Sequence, residues 1–79
     1  MFEMASRVRE DARILTRREI ECLRLRVTGL KSQQVADTLK VSKRTVDGHC
    51  RSVFLKLDAH NIVQAMRRAV ELGIIEPPV

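Results

Sequence analysis

Residues 41–57 read VSKRTVDGHCRSVFLKL. Ser42 is a residue type that caps helices, and fifteen residues follow it without proline. Val46, Cys50, Val53 and Leu57 recur at three- and four-residue spacing, so they share one face of a helix over 43–57. Phe54 lies at the edge of that face. Arg44, Gly48, Arg51 and Leu55 point the opposite way, flanked by Asp47 and Ser52. The outer face is therefore basic at its start but interrupted by an acid and a glycine. Gly48 costs roughly 1 kcal/mol of helix stability relative to alanine. Asp47 stands four residues before Arg51, the favourable order for an acid–base pair on a helix. The spacing predicts that Asp47 aims the Arg51 guanidinium or accepts a hydrogen bond from a ligand on this face.

The elements before this helix give it context. Thr16-Arg17-Arg18-Glu19 fits a capping box, with Leu15 placed to staple onto Ile20. Ile20, Leu23 and Val27 continue the helical period and Gly29 supplies a left-handed stop, so a helix is predicted over 17–28. A shorter helix over 32–39 carries Val35, Ala36 and Leu39. Lys40 and Val41 then make a tight connection to Ser42. A short helix with a small residue at its crossing point, a tight turn and a longer amphipathic helix form the helix-turn-helix arrangement. Downstream, Asn61 with Gln64 opens a helix over 62–72, Gly73 ends it, and Ile74 and Ile75 are expected to fold back on the core. Pro77-Pro78 blocks continuation. No strand pattern or internal repeat is present. The predicted fold is all-α, a four-helix bundle containing a helix-turn-helix.

Composition narrows the chemistry. The chain has 79 residues and a net charge of +5, with fifteen Lys and Arg against ten Asp and Glu. A small basic domain is a candidate for a polyanion partner. Two Phe, with no Tyr or Trp, leave no stacking platform for single strands. Cys22 and Cys50 fall at apolar helical positions and read as small buried hydrophobes. Two thiols without clustered histidine make no zinc site, so no metal is expected. There is no Gly-rich phosphate loop and no nucleophile–base pair, so neither an enzyme nor a cofactor is expected. The start, MFEMASRVRE, lacks the apolar core of a signal peptide, and no stretch is long enough to span a bilayer. The expected location is the cytoplasm, on the nucleoid when bound to DNA.

In helix-turn-helix domains the second helix enters the major groove and the first lies across the phosphate backbone. By that geometry Arg44, Asp47, Gly48 and Arg51 are the candidates to meet base edges, with Arg51 foremost because Arg–guanine is the commonest specific contact. On such a base-reading face Asp47 either aims Arg51 or accepts a hydrogen bond from a cytosine amino group. Lys43 and Thr45 in the first turn suit phosphate oxygens. Ser32, Gln33 and Gln34 at the start of the preceding helix are further phosphate candidates. Ser52 and Lys56 complete the expected DNA-facing set. His49 has no catalytic partner placed for it.

Leu15-Thr16, Arg18-Glu19, Cys22-Leu23, Gly29, Val35-Ala36, Leu39, Val41-Ser42, Thr45-Val46, His49 and Lys56-Leu57 together resemble the LuxR-type, or GerE-type, DNA-binding domain. The resemblance covers about residues 15–75. It implies a four-helix domain of a bacterial transcription regulator that binds double-stranded DNA with its third helix. It also implies a homodimer through the fourth helix, with Val63 and Arg67 at the interface and Met66 and Val70 either there or in the core; RNA polymerase is a further candidate partner. Residues 1–14 then form an N-terminal extension or linker, helical in spacing, and 76–79 a C-terminal tail. The stretch resembles the output end of a response regulator, either stand-alone or excised. Five departures stand out: Asp47 where Lys is frequent, Gly48 where an apolar residue is frequent, Lys31-Ser32-Gln33-Gln34 where the second helix usually opens Ser-Asn-Lys-Glu, Asp58-Ala59 for Gly-Val, and Ile62 for Arg. Asp47, Gly48 and Ile62 keep open a protein-interaction module that titrates a full-length regulator. A second alternative is promoter binding like region 4 of a sigma factor, whose pattern is close over the first three helices, including Leu23 to Arg26; the cap at Asn61 and His49 speak against it.

Overall fold

The computed structural model describes residues 14–77, so the expectation for the N-terminal extension lies, apart from Ile14, outside the described residues, as do the last two residues of the tail. Four helices follow one another: α1 Arg17–Val27, α2 Ser32–Leu39, α3 Lys43–Leu57 and α4 Ile62–Glu71. Each matches its predicted span to within one residue. The described residues contain no strand.

Local hydrogen bonds explain where the helices begin. The Thr16 hydroxyl accepts from the Glu19 N–H at 3.1 Å, and the Thr16 N–H donates to Glu19 Oε1 at 2.8 Å, completing the capping box. Ser42 Oγ accepts from the Thr45 N–H at 3.0 Å. Asn61 Oδ1 accepts from the Gln64 N–H at 2.9 Å, while Gln64 Oε1 takes the N–H of His60 rather than that of Asn61. The expected box at α4 is therefore displaced by one residue. At α2 the cap position is Lys31, and its N–H donates to Gln34 Oε1 at 2.8 Å.

The helix ends share one device. A left-handed residue follows each helix: Gly29 (φ 105°), Lys40 (φ 59°), Asp58 (φ 52°) and Gly73 (φ 75°). Left-handed backbone lets the next N–H groups reach back to the last carbonyls. Val41 N–H thus bonds Ala36 O at 3.0 Å, and Ile74 N–H bonds Ala69 O at 2.8 Å. The second of these turns folds Ile74 and Ile75 onto the core, where both are buried.

The core has two lobes. Cys22, Val35, Ala36 and Val46 form one, with Leu39, Val41 and Cys50 packed against it. Leu23, Val53, Leu57, Ala65, Ala69 and Ile74 anchor the other. Helices α1 and α3 contribute to both lobes, because neighbouring positions on α1 and successive turns of α3 face different lobes. Helix α2 closes the first lobe and α4 the second. Ala36 and Val46 are fully buried at the α2–α3 crossing, where the absence of a large side chain on Ala36 permits close approach. Cys22 is fully buried, and burial pushes its thiol up to about 11. Burial likewise raises Cys50. Both sulfurs are thus held as thiols and pack as apolar groups.

Candidate nucleic-acid interface

The Ser42 cap and the buried face of α3 together decide which residues look outward. With Val46, Val53 and Leu57 buried, Arg44, Asp47, Gly48 and Arg51 are all exposed on the opposite side. Leu55 continues that side one turn further on and is 76% exposed. Lys43 and Thr45 are exposed in the first turn. The Thr45 hydroxyl lies 2.9 Å from Ser42 Oγ, so part of its hydrogen-bonding capacity is used at the cap.

Asp47 does not pair with Arg51. Its Oδ2 accepts from Lys43 Nζ at 3.0 Å, and the Ser32 hydroxyl on α2 lies near enough to its carboxylate to favour the charged form. Ser32 and Lys43 together hold this carboxyl below the usual aspartate value. The reason for this choice is directional: helical Cα–Cβ bonds tilt towards the N-terminus, so a short side chain at 47 reaches back to 43 and to the start of α2. Asp47 therefore stands where α3 passes the start of α2 on the outer surface of the motif. Arg44 and Arg51 have no ion-pair partner among the described residues.

The α2 candidates are likewise partly engaged. Ser32 is half-buried and faces Asp47. Gln34 Oε1 serves the α2 start, and Gln33 Nε2 donates to Asp37 at 3.0 Å, although both side chains are exposed.

Ser52 and Lys56 lie on the flank of α3 that meets α1. Both turn towards Glu19, which at 5% exposure is the one buried charged residue among those described. Lys56 Nζ donates to both carboxylate oxygens, at 3.0 and 3.2 Å, and the Ser52 hydroxyl lies near enough to favour the charged form. Burial pushes the Glu19 carboxyl up, but Ser52, the Thr16 N–H and Lys56 outweigh it and hold the group below its ordinary value. Positions 52 and 56 are one turn apart on the flank of α3 that meets α1, and the buried carboxylate there claims both. The sequence marks Glu19 as a cap; nothing local marks it as buried or as the partner of a lysine 37 positions away.

Gly48 stands open. Beyond its chain neighbours and the backbone of its own helix, a Cβ at this position would meet no heavy atom of the described residues within 4 Å. Gly48→Ala is expected to raise the stability of the free domain by about 0.5–1 kcal/mol, because alanine restricts the unfolded chain and favours the helix. Thermal denaturation checks this; a lower melting temperature would reveal a backbone constraint at 48.

On α4, Val63 is 54% exposed and Arg67 is exposed, whereas Met66 and Val70 are half-buried against the second lobe. Met66, Arg67, Val70, Glu71 and Pro77 line a groove of about 320 Å³. Ile62 packs on the core and is not part of this outer surface. Among the described residues, no cluster of His, Cys, Asp and Glu could hold a metal ion, and no helix is long and apolar enough to cross a membrane.

Comparison with known proteins agrees with this arrangement. Residues 13–69 match the family described as bacterial regulatory proteins, luxR family. The chain is 39% identical over 74 residues to the transcriptional activator protein SolR of Ralstonia nicotianae, covering 94% of this chain and 31% of SolR. It is 32% identical over 72 residues to the response regulatory protein YgeK of Escherichia coli, covering 91% of this chain and 48% of YgeK. It is 34% identical over 67 residues to VjbR of Brucella abortus, a quorum sensing-dependent transcriptional regulator, covering 85% of this chain and 26% of VjbR. The chain thus spans less than half the length of each of these relatives. Four helices with a tight α2–α3 turn, together with the match over most of the chain, show that the protein belongs to the luxR family of bacterial regulatory proteins and carries its helix-turn-helix domain.

Proposed function

We propose that residues 15–75 bind double-stranded DNA sequence-specifically, with α3 in the major groove, and regulate transcription as a homodimer. The observation that carries this reading is the outer face of α3. Arg44 and Arg51 stand on it exposed and without acidic partners among the described residues, and Gly48 between them leaves room for close approach. The major groove accepts one α-helix, and a guanidinium can bind guanine O6 and N7 together. Lys43, Thr45 and the start of α2, with Ser32, Gln33 and Gln34, lie where the motif meets phosphates. Ser52 and Lys56 act through Glu19, orienting α3 on α1, rather than on DNA. The names of SolR and VjbR, an activator and a transcriptional regulator, support a role in transcription. Val63, Met66, Arg67 and Val70 supply the surface for a second copy.

Selection of bound duplexes from a random pool, run at two salt concentrations, tests the reading. Enrichment of a palindrome is expected, with affinity falling steeply as salt rises because each neutralised phosphate releases counterions. No enrichment and no shift at low salt, together with heterodimer formation with a longer regulator, would select the titrating module instead.

Asp47 is a specificity determinant in this reading. It holds Lys43 in the free protein and offers an acceptor to a cytosine amino group in the complex. Asp47→Ala is expected to narrow the affinity gap between the selected site and random duplex, measured by fluorescence anisotropy. An equal gain on both would make Asp47 only a repulsive charge.

A further inference from the structure

We propose that Lys40 is a DNA-backbone contact, its ammonium placed on a phosphate by the left-handed turn between α2 and α3; this rests on the DNA-binding reading above. The starting observation is a mismatch between residue and conformation. Each of the four helices is followed by a left-handed residue. Two of these are glycine, which adopts that backbone freely, and Asp58 is one of the short polar residues that tolerate it through local hydrogen bonds. Lys40, at φ 59° and ψ 46°, has neither excuse. Its backbone N–H closes the helix on Ala36 O, a bond that glycine would make equally well.

The side chain has no local role among the described residues. Lys40 is exposed and takes part in none of their ion pairs or side-chain hydrogen bonds. It stands on the one turn of the chain that joins the two helices of the motif. Three residues of extended chain span at most about 11 Å, so its Cα lies within that distance of Lys43 on the face assigned to DNA. Lys40, Lys43 and Arg44 thus fall within one five-residue stretch of the turn and the first turn of α3. Asp47 pairs with Lys43. Lys40 and Arg44 have no ion-pair partner among the described residues. A lysine carries a point charge on a flexible stem, which suits a phosphodiester oxygen and conveys no base preference.

Three variants test the assignment by anisotropy titration against the selected duplex and a random one, each over a salt series. Lys40→Gly is expected to weaken both duplexes alike, about three- to tenfold, and to reduce the slope of log affinity against log salt by about 0.9. It should also melt at a higher temperature, so the loss cannot come from unfolding. Lys40→Arg restores affinity and slope. Asp58→Gly, which relieves the other non-glycine left-handed residue, also melts higher but keeps wild-type DNA affinity. Lys40→Gly with wild-type affinity and slope overturns the proposal while leaving the DNA-binding reading intact; it would mean that the charge serves some other partner, such as an acidic protein surface. A loss confined to the selected duplex overturns it as well, since a phosphate contact cannot discriminate. Failure of the wild-type domain to bind either duplex at low salt overturns both.

Discussion

Glu19→Ala is expected to destabilise the domain by about 2–4 kcal/mol, a large share of what so small a domain possesses. Three losses combine. The capping box at the start of α1 disappears, at about 1 kcal/mol. The Lys56 ammonium loses its carboxylate; because its side chain is 33% exposed, water recovers part of that loss, and the full cost of breaking a buried pair is not reached. Ser52 loses the carboxylate it faces, and the space left by the side chain sits between α1 and α3. The melting temperature should fall by on the order of 10 °C or more. Glu19→Gln keeps an acceptor for the Thr16 N–H and should lose less. The same residue sets an acid limit. The folded carboxyl titrates below its ordinary value, so the unfolded chain binds its proton more readily. The stability it contributes is therefore present above the unfolded value near 4.3 and is lost as pH falls through the lower folded value. Circular dichroism melts of both variants between pH 7 and pH 3 check these expectations. If Glu19→Gln matched wild type in melting temperature and in acid profile, the charged pair would contribute nothing.

The second large effect concerns recognition. Arg51→Ala should cost the selected duplex about 1–3 kcal/mol, roughly 5- to 150-fold, while random duplex loses no more than a single phosphate contact would supply. The asymmetry follows from chemistry. A guanidinium on a base edge is worth its full bidentate bond only at the right base, whereas a cation on a phosphate is worth the same everywhere. Lys43→Ala is the contrast and should weaken both duplexes alike. The exposed position of Arg51 without an acidic partner among the described residues sharpens this expectation, because no bond to those residues has to be broken before it reaches DNA. Equal loss on both duplexes for Arg51→Ala would assign it to the backbone instead.

Much of this architecture was legible before any coordinates. Thr16, Ser42 and Asn61 announce helix starts because a cap needs only the backbone three residues ahead. Val46, Val53 and Leu57 announce the buried face of α3 because a helix repeats its direction every turn. Gly29 and Gly73 announce stops because glycine is the residue that turns left-handed without cost in sterics. Lys40 and Asp58 make the same turn unannounced; their conformation is imposed by the packing of the helices on either side. On α4, the cap at Asn61 was visible, but the shift of Gln64 onto His60 was not.

The charged residues divide differently. That α3 presents Arg44, Asp47, Gly48 and Arg51 outward follows from periodicity alone, since burying Val46 and Val53 leaves no other direction for them. Which neighbour each charge chooses does not follow. Glu19 and Lys56 stand 37 positions apart and meet only because α1 packs across α3, which engages Lys56 in an ion pair that sequence spacing does not announce. Asp47 looked like the companion of Arg51 along one helix, yet Ser32 arrives from α2 on the other side and the short carboxylate leans to meet it. The local alphabet of caps, stops and stripes was enough to determine the helices and their exposed faces, because those depend on contacts within a turn or two. Only the tertiary structure decided which of the exposed charges remain available, because an ion pair depends on where the rest of the chain has been brought.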